Sequence, residues 1–148
     1  MVAHGALHGA RVSLRRIDAL PSFAEFEALL REPGPWLGGF DFPFGLPREL
    51  VEALGWPCDW FALMRHYAAL TRATIRATFA AFCAARPPGR KFAHRACDRP
   101  AGSSPSMKWV NPPVAIMLHA GAPLLLDAGV HVAGLHGRRG DRIGDGVK

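Results

Sequence analysis

One carboxylate, Asp41, ends an otherwise apolar run that extends from Trp36 to Phe44 and continues through Gly45, Leu46 and Pro47 to Arg48. An ionised carboxylate among apolar side chains costs several kcal/mol unless a metal, a cation or hydrogen-bond donors hold it. Pro43 and Pro47 fix φ, Gly45 tolerates positive φ, and Pro47 suits the first turn of a helix. The segment therefore reads as a strand over Trp36 to Phe42, an acidic tip, a tight turn and a following helix.

Two-metal phosphoryl chemistry needs several carboxylates converging from different strands, with coordination positions left open for water and phosphate. Asp41 supplies one. Asp98 is a second candidate, with Arg95 and Arg99 available to grip phosphate bidentately; the alternative is that Asp98 pairs with those arginines in a surface loop. His94 shares the loop and suits an acid, a base or a phosphate contact. Ser103 to Asn111 adds hydroxyls, Lys108 and the Asn111 amide. A nucleophilic pair of Ser106 and Lys108 competes there with a polar loop that caps the next helix and sets Trp109 against the core. His4, His8, His66, His119, His131 and His136 show no paired zinc-type spacing. Asp127 lies on a helix, while Asp141 and Asp145 fall in a tail.

Several elements must position these groups. Val12 and Leu14 alternate with Ser13 and Arg15, which predicts a half-exposed strand over Ala10 to Ile17, with Met1 to Leu7 pairing on it through His8 and Gly9. Ser22 and Glu25 form a capping-box pattern at the head of a helix reaching about Arg31. From Pro47 the chain is helical: Pro47 to Leu54 ending at Gly55, a second helix capped by Asp59, and a third capped by Thr71 and reaching about Ala85. Ile75, Phe79, Phe82 and Cys83 recur on one face of that third helix and read as core. A polar, basic loop runs from Arg90 to Lys108. Asn111 then caps a helix opened by Pro112 and Pro113, which Gly121 and Pro123 bend or divide before Gly129.

A chain of 148 residues with 49% hydrophobic content is long enough for one core and too short for two. Its net charge of +6 permits an anionic partner. The basic residues are dispersed, the best group being Arg86, Arg90, Lys91, Arg95 and Arg99. Cys58, Cys83 and Cys97 have neither metal-ligand spacing nor a paired framework, which predicts a reduced, cytoplasmic setting. No apolar run approaches the roughly 20 residues needed to span a bilayer, and no leader pattern stands at the N-terminus. A membrane partner is not expected.

Taken in succession, Gly38 to Pro47, then Lys91 to Arg95 with Asp98, then Ser103 to Pro113 resemble the bacterial and archaeal family catalogued as domain of unknown function 429. That family is regarded as a predicted nuclease of the ribonuclease H-like superfamily, and the resemblance covers about Val12 to Leu135. It implies an α/β, incomplete ribonuclease H-like fold: a small mixed sheet with a large helical insertion at about 47–86. The whole would be one partial domain over 1–137, followed by a flexible tail over 138–148. Met1 to Ile17 would be the second and third strands, Phe23 to Arg31 the first helix, and Trp36 to Phe42 the next strand.

The resemblance further implies that Asp41 ligates Mg or Mn, that Asp98 and His94 belong to the catalytic group, and that Arg95, Lys108 and Asn111 lie near the substrate. Members of that family begin with a strand bearing an aspartate and continue into a strand bearing a glutamate before a Tyr-Pro pair. Here Met1 falls after the first, and Gly140 to Lys148 replaces the second, as a truncation or frame change would leave it. The expectation is thus a metal-dependent nuclease domain, weak or inactive in this chain. Two alternatives stand beside it: a non-catalytic protein that binds nucleic acid or another partner through the loop 86–99, and a fragment without independent function that associates through exposed sheet edges.

Overall fold

The alternation in the first eighteen residues resolves into an antiparallel hairpin of β1 (Val2–His8) and β2 (Arg11–Asp18). The computed structural model describes residues 1–135. The expected tail at 138–148, with Asp141 and Asp145, lies outside them, as does His136. Gly9 opens the two-residue turn at φ 61°, a backbone whose twist matches that of the strands. The register shifts between His4 and Gly5, which leaves Arg15 as the extra residue of a bulge. Gly5 is required there, since a Cβ on it would lie 2.7 Å from the Ser13 carbonyl oxygen. His4 and Arg16 both reach the Asp18 carboxylate, at 3.0 and 2.8 Å.

Helix α1 (Phe23–Leu30) starts at the expected cap. The Glu25 amide donates to Ser22 Oγ at 3.3 Å, and the Ser22 hydroxyl donates to the Glu25 carboxylate at 3.4 Å. These elements belong to a compact unit, Met1–Leu37, and a second unit begins at Gly38.

No strand forms at Trp36 to Phe42, which corrects the expected one; the segment is irregular chain with a bend at Asp41 and Phe42. Among the described residues β1 and β2 pair only with each other. A strand without a ladder partner leaves its backbone groups unpaired, and Gly38 and Gly39 bring no side chains to pack. The alternating phenylalanines cluster instead: Phe40, Phe42 and Phe44 meet pairwise with ring centroids 5.5 to 6.0 Å apart. The described chain is thus mixed α and β, with one two-stranded antiparallel sheet and five helices, in place of the expected mixed sheet.

The second unit is helical: α2 (Arg48–Ala53), α3 (Trp60–Ala68), α4 (Arg72–Ala84) and α5 (Val114–Asp127). Gly55 follows α2 at φ 64°. Asp59 accepts from the Ala62 amide at 2.9 Å and Thr71 from the Thr74 amide at 3.0 Å, so both predicted caps form. The cap expected of Asn111 does not: Asn111 is exposed, and Pro113 precedes α5 without a side-chain cap. The first turn is held instead by the Ala115 amide, which donates to the Lys108 carbonyl at 2.8 Å. Helix α5 also runs undivided through Pro123. Gly121 serves packing rather than bending, because a Cβ there would lie 2.7 Å from the Phe42 ring.

Burial explains why these helices hold together. Trp60, Leu63, Met64 and Tyr67 line one face of α3, while Ile75, Phe79 and Cys83 line one face of α4. Phe82, expected among them, is only half-buried and lies under the Arg86 guanidinium at 5.0 Å. Burial pushes the Cys83 thiol up, while Lys91 and Arg86 pull it down.

Tyr67 donates to the Ala115 carbonyl at 3.0 Å, and burial raises its phenol well above the ordinary value. A phenol kept protonated in the folded chain makes the unfolded chain release its proton first. Stability is therefore whole below a pH of about 10 and falls above it, by up to about 1.4 kcal/mol per pH unit. Tyr67 is the sole tyrosine, so near-ultraviolet phenolate absorbance reports it alone. Absorbance should rise only in step with unfolding by circular dichroism; ionisation with an ordinary midpoint in a still-folded chain contradicts this.

Candidate functional site

Packing in the second unit joins the three separated motifs. Phe44, Gly45, Leu46 and Arg48 share a cavity of about 380 Å³ with Arg95 and Cys97, floored by Val51, Trp60 and Leu63. The indole nitrogen of Trp60 donates to the Phe44 carbonyl and fixes that turn. The third motif packs on the second: the Ala93 amide donates to the Met107 sulfur at 3.2 Å, and the Phe92 and Trp109 rings meet edge to face at 5.8 Å. Trp109, half-buried, thus ties the third motif to the second, while the side-chain cap expected of this loop does not form.

Asp98 is enclosed and fully paired. Its Oδ1 accepts from Arg95 Nε at 2.8 Å and from Arg95 Nη2 at 2.6 Å, and its Oδ2 accepts from the Arg95 amide at 2.8 Å. Its carbonyl accepts from the Ser103 amide at 2.9 Å. A carboxylate held on both oxygens in this way staples the turn from Arg95 to Ser103.

The other predicted site residues disperse around this staple. Asp41, His94 and Asn111 are exposed, and Lys108 is half-buried. Ser106 is wholly buried and its hydroxyl makes no hydrogen bond among the described residues, so it is not paired with the Lys108 amine. Among the described residues no three His, Cys, Asp or Glu side chains gather as a metal set. Among the described residues Asp41 thus has no companion carboxylate set of the kind a hard divalent cation needs, and those residues do not fit such a site.

What the loop does present is uncompensated positive charge. Arg86 is paired with Glu49 and Arg95 with Asp98. Arg90, Lys91 and Arg99 are exposed and make no ion pair among the described residues. Lys91 lies 5.5 Å over the Phe92 ring. Sequence reasoning did not find the cavity, whose walls include Cys58, Cys97 and Arg48; they come from distant positions and carry no local pattern.

The second unit is accordingly a helical scaffold carrying one stapled basic loop beside an apolar cavity. No helix of the described chain is long and apolar enough to cross a membrane. Comparison with protein-family models, with curated proteins and with solved structures found no match.

Proposed function

We propose that the chain binds nucleic acid through its phosphodiester backbone, using the exposed cations of the loop 86–99. One observation carries this reading: the loop's only carboxylate is consumed internally by Arg95, while Arg90, Lys91 and Arg99 stay open to solvent. Phosphate contacts of this kind are sequence-independent and release counterions, so affinity falls steeply with salt. Joint replacement of Arg90, Lys91 and Arg99 by alanine is expected to weaken binding at least about tenfold and to flatten the salt slope by roughly one unit per lost contact. Binding that ignores salt, or survives the triple replacement unchanged, refutes the proposal.

A second reading, a ribonuclease H-like nuclease, is favoured by the packing of the resembling motifs in the second unit, where the first and second share a cavity and the third packs on the second. Because no carboxylate set surrounds Asp41 among the described residues, no step through a metal is derived. The same binding experiment decides between the two when run with Mg or Mn. Cleavage lost in Asp41→Asn supports the nuclease, and uncut substrate bound equally with or without metal supports the binding protein.

A further inference from the structure

Lys91 with Phe92, and Lys108 with Trp109, are cation–aromatic neighbours in separate motifs of the chain, and packing in the second unit brings the two rings together. Phe92 and Trp109 meet edge to face, with centroids 5.8 Å apart and planes at 68°. The backbone beside them is fixed. The amide of buried Ala93 donates to the sulfur of buried Met107 at 3.2 Å, and the Lys108 carbonyl accepts from the Ala115 amide at 2.8 Å. Both rings are nonetheless only half-buried. Lys91 is exposed and holds its ammonium 5.5 Å over the Phe92 ring, so that face looks toward solvent and not into the core. Anchoring the loop uses only the buried part of each ring and leaves an aromatic face open among cations.

We infer that this ring pair stacks the unpaired bases of a single strand whose phosphates the neighbouring cations hold. The inference rests on the nucleic-acid binding proposed for the same loop and adds which form of nucleic acid it takes. A base offers its π-face to a side chain only when it is not enclosed in a duplex stack, and aromatic rings beside cations accept bases of any sequence. As a base settles on Phe92, the Lys91 ammonium passes from the ring to the phosphate that arrives with the base. Because each ring is already held by the other, little ordering cost remains on binding. Charge alone gives the opposite preference: a duplex carries the denser phosphate and releases more counterions per contact. Tighter binding of a single strand therefore requires base faces.

Fluorescence anisotropy with the full chain tests this, using oligonucleotides of about 15 nucleotides: a single strand, the same sequence as a duplex, and an abasic strand of equal charge. The single strand is expected to bind at least about fivefold tighter than either of the others, the worth of one stacked base. Phe92→Leu and Trp109→Leu should each weaken the single strand by at least about fivefold and leave the duplex and the abasic strand alone. Their salt slopes should stay unchanged, since no phosphate contact is lost. A duplex or an abasic strand bound as tightly as the single strand overturns the inference and leaves phosphate binding by the loop standing. A ring variant that weakens all three alike also overturns it, since the rings would then only hold the loop in shape. Failure of all three to bind overturns both the inference and the reading beneath it.

Discussion

Phe79→Ala is expected to lower the stability of the helical unit by about 4 kcal/mol, a large share of what a domain of this size possesses. Phe79 is wholly buried on α4. Its ring stacks on Tyr67 at 6.1 Å and 9°, and Trp56 meets both rings at about the same separation. Truncation removes the transfer energy of a large side chain and leaves a void bordered by stiff rings that collapse poorly, so the cavity penalty adds nearly in full. The damage also spreads, because Tyr67 carries the hydrogen bond to Ala115 on α5. Urea denaturation followed by tryptophan fluorescence measures the loss. Phe82→Ala, at a half-buried site on the same helix, should cost about 1 kcal/mol. Equal costs for the two would mean that the aromatic stack is not the centre of this core.

The same helix shows what the sequence makes legible. Ile75, Phe79 and Cys83 are spaced by one helical turn, and the caps Asp59, Thr71 and Ser22 act within three residues of themselves, so local physics decides them. The strand expected at Trp36 to Phe42 failed for the opposite reason. A strand exists only with a partner, and apolar alternation is satisfied equally by the cluster of Phe40, Phe42 and Phe44. Asn111 looked like a cap because prolines follow it, yet the backbone of Lys108 serves the first turn of α5 instead. Gly121 resembled a hinge in sequence, and only the ring of Phe42, nearly eighty residues earlier in the chain, reveals it as a contact.

Asp98 is where legibility bears on function, since its neighbours allowed either a reacting carboxylate or a partner for arginine. Asp98→Ala is expected to cost about 3 kcal/mol, near the low end for breaking a buried pair, because Arg95 keeps some solvent. The replacement strands the Arg95 guanidinium and leaves its amide without an acceptor. Asp98→Asn retains one acceptor and should cost about half as much. In Asp98→Ala with Arg95→Ala the two losses should fall short of additivity by about 2 kcal/mol, the signature of residues that act through one another. These costs appear without nucleic acid or metal, and the folded fraction should still bind through Arg90, Lys91 and Arg99. A carboxylate poised for chemistry predicts the reverse, stability nearly unmoved and cleavage abolished. Denaturation curves of the free protein beside binding isotherms of the same variants separate the two, and the enclosure of both carboxylate oxygens sets the expectation on the side of the staple.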